Sequence, residues 1–161
     1  MSEMVQLVDE DGNFQRAVER DEVDEYPDLQ MVIVELVLMN SVGEFLYHER
    51  HPSKSEAGKI DHVCGAVREG ETPEEAARRE ALEEVELEVG ELKEVARGVN
   101  EYGRYRMLFV GEFDQVPTLS PTNEEASYVA KATLDELQAI QTAGQLFVNS
   151  FFSSIDQAVS I

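Results

Sequence analysis

Glu80, Glu83 and Glu84 fall at i, i+3 and i+4 of a helical run, so their carboxylates project from one face. Like charges at that spacing repel and weaken a helix. A sequence that keeps them together implies a compensating cation, and hard oxygen donors of this kind suit Mg2+ or Mn2+. Alone, such a cluster is more often a solvated helix face. What surrounds it therefore decides how it is read.

The helix has a clear start. Thr72 can cap it, Pro73 suits its first position, and Glu75 completes a capping box, which predicts a helix from there to about residue 85 or 86. Ala77, Ala81 and Val85 share a second face, small enough to pack closely on a sheet. Upstream, residues 4–9 and 13–18 flank Asp11-Gly12 and read as a hairpin. Residues 20–27 form a turn or short helix. Residues 29–39, rich in Val, Ile and Leu, are the best candidate for a central strand. Residues 44–50 alternate as a strand, with Phe45 and Tyr47 on one face and Leu46, His48 and Arg50 on the other. A polar loop at 51–59 leads to a short strand at 60–67 that delivers Gly65. Downstream, strands are expected at 91–100, 105–113 and 125–132, with a Pro-containing loop at 114–123. A helix runs from Thr133, with Glu136 as its capping partner, to about Thr142, and a C-terminal helix spans 146–159. The pattern predicts an α/β fold, a mixed sheet with helices on both faces. Residues 1–28 form a small β extension on a core at 29–160, within a single domain of 1–161.

Net charge is −21, from 13 basic and 34 acidic residues, a field that repels nucleic-acid polymers and anionic membranes. No apolar run approaches the length of about 20 residues that a membrane helix needs. With one cysteine, Cys64, no disulfide can form within the chain. The N-terminus carries neither a basic region nor an apolar signal core. These features predict a cytoplasmic protein. The 29–39 strand or the N-terminal extension could support a homodimer.

The stretch 65–87 resembles the Nudix hydrolase signature, G-x5-E-x7-R-E-U-x-E-E-x-G-U, where U is a bulky apolar residue. Gly65, Glu71, Arg79, Glu80, Glu83 and Glu84 match six of its seven fixed letters, and Leu87 fits the last apolar position. Ala81 is small for the first apolar position, and Glu86 replaces the final glycine. The order of elements also resembles the family's α/β/α sandwich, here with an N-terminal β-hairpin extension. The tryptophan common near residue 131 is absent, and Lys131 stands near that place.

The resemblance implies metal-dependent hydrolysis of a diphosphate linkage in a nucleoside diphosphate-linked or related small molecule. It makes Glu80, Glu83 and Glu84 metal ligands, with the Gly65 carbonyl as a further one. Glu80 is one candidate for activating water and Glu125 another, with Glu124 as its alternative. Glu71 and Arg79 would hold the loop and helix in shape and orient Glu83. Arg50, Arg68, Arg104 and Arg106 lie near the signature or on neighbouring loops and are candidate substrate contacts. Tyr102 and Tyr105 read as packing or rim residues, and His48, His51 and His62 as surface or supporting histidines without metal spacing.

Cys64 and the N-terminal hairpin also resemble the isopentenyl-diphosphate isomerase branch of the superfamily. That branch has a metal-binding histidine two residues after its cysteine, where this chain has Ala66. Isomerase chemistry is therefore the lesser alternative, alongside a non-catalytic nucleotide-binding domain. The bland reading of Cys64 is a small residue packed beneath the loop.

Overall fold

The computed structural model describes residues 3–160; Met1, Ser2 and Ile161, the ends of the expected 1–161 unit, lie outside the described residues. Strand β3 (Gln30–Met39) is the hub. It pairs in parallel with β8 (Tyr105–Glu112) along its length, from Val32 opposite Tyr105 to Met39 opposite Glu112. On its other edge it pairs antiparallel with β6 (Val63–Ala66), Val34 facing Gly65 and Glu35 facing Cys64. The N-terminal hairpin, β1 (Met4–Val8) and β2 (Phe14–Glu19), joins the sheet where Leu7 meets Met31. Strand β4 (Phe45–Arg50) joins β3 at Met39 and pairs antiparallel with both β5 (Ile60–Asp61) and β9 (Ala126–Ala132). Strand β7 (Lys93–Val99) closes the far edge against β8.

Alternation along β3 sorts its side chains between two layers. Val32, Val34, Leu36 and Leu38 pack with Ala76, Ala77, Ala81 and Val85 of α1 (Pro73–Val85). Val37 belongs to the opposite core, with Leu137 of α2 (Leu134–Thr142) and Phe151, Ile155 and Ala158 of α3 (Phe151–Val159). A third cluster, Val5, Leu7, Val18, Val23, Met31 and Ala66, seats the hairpin and the one 3-10 turn recorded among the described residues, Arg20–Glu25. Each fully buried Leu, Val or Phe in these layers contributes about 1.5–3 kcal/mol. The mixed sheet with helices on both faces is as expected.

Two boundaries and one helix cap differ from the sequence reading. The 60–67 strand is two strands, because β5 pairs with β4 whereas β6 pairs with β3. The C-terminal helix begins at Phe151 rather than 146: Ile60 donates to the Leu146 carbonyl and Val148 donates to the Ile60 carbonyl, so residues 146–148 lie along a strand edge. At the start of α1, Thr72 Oγ1 accepts from Glu75 N as expected. The Glu75 carboxylate, however, takes the Thr72 hydroxyl at 3.1 Å. In α2 the reciprocal capping box of Thr133 and Glu136 is complete. No helix among the described residues is long and apolar enough to cross a membrane.

Candidate active site

Strand β6 and helix α1 build the site between them. Strand β6 has β3 as its only ladder partner among the described residues, so groups on its other edge need bonds from elsewhere. Two α1 side chains supply them: Glu84 Oε2 accepts from Cys64 N at 3.2 Å, and Arg79 Nη2 donates to the Ala66 carbonyl at 2.9 Å. In an antiparallel ladder the N–H and C=O of one residue point to the same edge, and successive residues alternate. The Cys64 carbonyl therefore lies on the helix side, and the Gly65 carbonyl faces β3. This corrects the sequence reading, which took Gly65 as the backbone ligand. Gly65 serves the site in another way: a Cβ there would collide with the Glu80 carboxyl.

Arg79 is the clasp of this region. It donates to Glu71 Oε2 at 2.7 Å and Oε1 at 2.9 Å, to Glu80 Oε1 at 2.7 Å and to Glu83 Oε2 at 3.3 Å. Glu71 also accepts from Arg68 N at 2.8 Å, which closes the loop onto the helix. Burial pushes the Glu71 carboxyl up, but Arg79 and the Arg68 amide outweigh it and hold it below the usual range.

Glu84 is 4% exposed. Burial, with Glu80 and Asp61 adding to it, drives its carboxyl well above the ordinary value. Burial likewise raises Glu80, against the pull of Arg79. Two buried carboxylates raised side by side concentrate negative charge that a bound divalent cation would relieve. Among the described residues no three His, Cys, Asp or Glu side chains already stand grouped to hold a metal ion. The donors are nevertheless hard oxygens on one helix face beside a strand carbonyl, a set that suits Mg2+ or Mn2+.

Glu125 comes to this face from the loop before β9. It lines a recess of about 390 Å³ with Glu83, Glu86, Ser120, Asn123 and Glu124, and its Oε2 meets Lys54 Nζ at 2.8 Å. The expected alternative, Glu124, lies in the same recess.

The NUDIX domain family model matches residues 29–148. This chain belongs to the Nudix family. A Nudix hydrolase of Deinococcus radiodurans is 47% identical over 62 residues, which take in 37% of this chain and 36% of that protein. The aligned segment is thus about a third of that relative's length. The crystal structure of DR0079, also from Deinococcus radiodurans, is similar at a TM-score of 0.73 and 28% identity, over 92% of this chain and 94% of that one. A NUDIX hydrolase from Nitrosomonas europaea shares the fold at a TM-score of 0.63 and 21% identity, covering 80% of this chain and 88% of that one.

The two departures from the Nudix signature have structural counterparts. Ala81 is fully buried under the sheet, where a small side chain lets α1 approach closely. Glu86 is the C-cap of α1 and adopts the left-handed conformation, φ 54° and ψ 39°, that glycine takes without steric cost. The helix is not extended; the glutamate accepts the strain.

The candidate arginines divide. Arg68 reaches Glu83 at 3.7 Å and Glu3 at 2.9 Å, so it borders the carboxylates. Arg50 is committed to Asp61 at 3.0 Å and to the Ser55 carbonyl at 2.7 Å, bracing the 51–59 loop. Arg106 pairs with buried Glu35 and donates to Ser154 Oγ at 3.0 Å. Arg104 and Arg106 line a cavity of about 620 Å³ with Glu35, Cys64, Tyr102 and Gln157. Tyr102 is an exposed rim residue and Tyr105 is buried, as expected.

The sequence reading missed a buried polar layer. His48 and His62 are not surface residues; they are 1% and 3% exposed. His48 Nε2 lies 3.8 Å from Glu84 Oε1, and burial lowers its pKa to about 4, so the ring beneath the site is neutral. His62 Nε2 bonds Glu35 Oε1 at 2.7 Å. The available signals were a lone Glu35 inside an apolar strand and an Asp61-His62 pair just before Gly65, both suggestive only once their neighbours in space are known. His51 matches the expectation, its Nδ1 2.8 Å from Ser53 Oγ near the surface.

Proposed function

We propose that this chain hydrolyses a diphosphate linkage in a small molecule, with Glu80, Glu83 and Glu84 holding Mg2+ or Mn2+ beside the Cys64 carbonyl. The observation that carries the reading is Glu84, a carboxylate buried between α1 and the β6 edge, its Oε2 accepting from Cys64 N, and raised by that burial with Glu80 adding to it. A bound divalent cation would neutralise phosphate charge and lower the pKa of an attacking water.

The chain's own residues would divide the remaining work. Arg79 fixes Glu80 and Glu71, so the loop and helix keep one shape. Arg68, beside Glu83, stands ready for a phosphate oxygen. Glu125 and Glu80 are the two candidates for taking the water's proton. Glu125 opens on the 390 Å³ recess and pairs with Lys54 at 2.8 Å. Glu80 is already bound by Arg79, which favours Glu125 as the base. The 620 Å³ cavity behind Cys64 would receive the group attached to the diphosphate, with Tyr102 at its rim. An isomerase finds no support, because Ala66 offers no imidazole to a metal and its methyl packs into the cluster under the hairpin.

The test is a panel of nucleoside triphosphates, sugar nucleotides and dinucleoside polyphosphates assayed across Mg2+ and Mn2+ concentrations. Cleavage of at least one member, dependent on the metal, is expected. No cleavage at any metal level would refute the proposal.

A further inference from the structure

We propose that Glu86 is a positioning residue that holds the loop carrying Glu125 over the carboxylate helix. The inference rests on the hydrolase reading for Glu125, and its geometry is independent of that reading. Glu86 Oε2 accepts from Ser120 N at 2.7 Å and from Asn123 Nδ2 at 3.0 Å. Asn123 Oδ1 in turn accepts from Glu125 N at 2.8 Å and Ala126 N at 2.9 Å. One connected set of bonds therefore runs from the last turn of α1 to the backbone of Glu125. On its other side the same loop is tied to the 51–54 segment: His51 N donates to the Glu125 carbonyl at 3.1 Å, and Ser53 Oγ to the Glu124 carbonyl at 3.1 Å.

Glu86 is locally unfavourable in three ways. It is a non-glycine residue in the left-handed region. It puts negative charge at a helix C-terminus, where the helix dipole disfavours it. It adds a carboxylate to the recess that Glu83 already lines. Glycine would remove all three costs, and glycine is what the Nudix signature carries there. The donors that compensate are Ser120 N–H and the Asn123 amide, both on the loop. A residue that breaks several local rules at a site, and whose compensating side-chain bonds among the described residues lead to another candidate group of that site, is placed for what it holds. The carboxylate fixes the loop to the helix, and Asn123 passes that constraint to Glu125.

Glu86→Gly, Glu86→Gln, Asn123→Ala and the Glu86→Gly/Asn123→Ala double variant test the inference by steady-state kinetics, thermal unfolding and residue-resolved amide exchange. Glu86→Gly should lower kcat about 10- to 100-fold, with a smaller change in KM, and speed exchange at Ser120 and Glu125. Its melting temperature should not fall, because the backbone strain is relieved; a merely structural role predicts the opposite pattern. Glu86→Gln keeps an acceptor oxygen and should recover most of the lost kcat. The double variant should be no slower than the worse single variant, since both break one connection. Wild-type kcat with unchanged loop exchange in Glu86→Gly, or fully additive losses in the double variant, would overturn the inference. Exchange needs no substrate. If the wild-type chain cleaves nothing, the hydrolase reading fails while exchange still tests the tether. If Glu125→Gln keeps full activity, the link from tether to catalysis is refuted.

Discussion

Replacing Arg79 by alanine removes one guanidinium from five acceptors at once: both oxygens of Glu71, Glu80 Oε1, Glu83 Oε2 and the Ala66 carbonyl. Each bond to a charged group contributes about 1.5–3 kcal/mol, but these share one side chain and do not add. Breaking a buried ion pair typically costs about 3–5 kcal/mol. The Arg79 side chain is 17% exposed, so water recovers part of the loss and about 3 kcal/mol is expected. Against a total stability of about 5–15 kcal/mol the variant still folds, with its urea midpoint lower by about 1–2 M. Arg79→Lys keeps the charge without the planar fork and should recover less than half of the loss. The deficit should also depend on pH. Glu71 is held below its ordinary 4.5, so it stabilises the fold above the unfolded value, and that stability is lost as pH falls through the folded one. The gap between wild type and Arg79→Ala should be full at pH 7 and narrow below pH 4.5. A loss under about 1 kcal/mol at pH 7, or a gap that widens in acid, would refute this account of the clasp.

Two further outcomes follow from the same geometry. Gly65→Ala should displace the Glu80 carboxyl, the flexible end of a side chain, so denaturant titration should show a loss under about 1.5 kcal/mol while kcat falls at least tenfold. Mg2+ at 100 times its dissociation constant should stabilise the chain by about 2.7 kcal/mol in thermal unfolding, and this gain should vanish in Glu83→Gln/Glu84→Gln; equal gains in both proteins would place the ion elsewhere.

Much of this was legible in the sequence where local rules act alone. Thr72-Pro73 marked the start of α1, and Ala77, Ala81 and Val85 marked its buried face, because capping and helical periodicity need no distant partner. The end of α1 was not legible: Glu86 takes a glycine-like conformation, and its compensating donors lie more than thirty residues away. Strand β3 is covered on both sides, so its nearly continuous apolar run hid which residues face which layer. It also hid the role of Glu35, which is satisfied by His62 from the β5–β6 link, Arg106 from β8 and Ser154 from α3. Arg106 therefore read as a candidate substrate contact, although the structure gives it a buried partner. Residues 146–150 carry apolar spacing that suits a helix, yet Ile60 captures 146–148 by backbone bonds that no local pattern announces. Glu125 was singled out by the family resemblance rather than by any local pattern, and the loop before β9 places it in the recess that Glu83 also lines.

The proposed role of the α1 carboxylates is to hold a divalent cation for diphosphate cleavage. Phosphorus-31 NMR of the most responsive panel member, incubated with Mg2+ and either wild-type or Glu84→Gln protein, tests it most directly. The account predicts loss of the diphosphate resonances and growth of product phosphate signals with wild type, no turnover after chelation, and a rate about 100- to 1,000-fold lower with a folded Glu84→Gln variant. Equal turnover by the two proteins, or turnover that survives chelation, would contradict it.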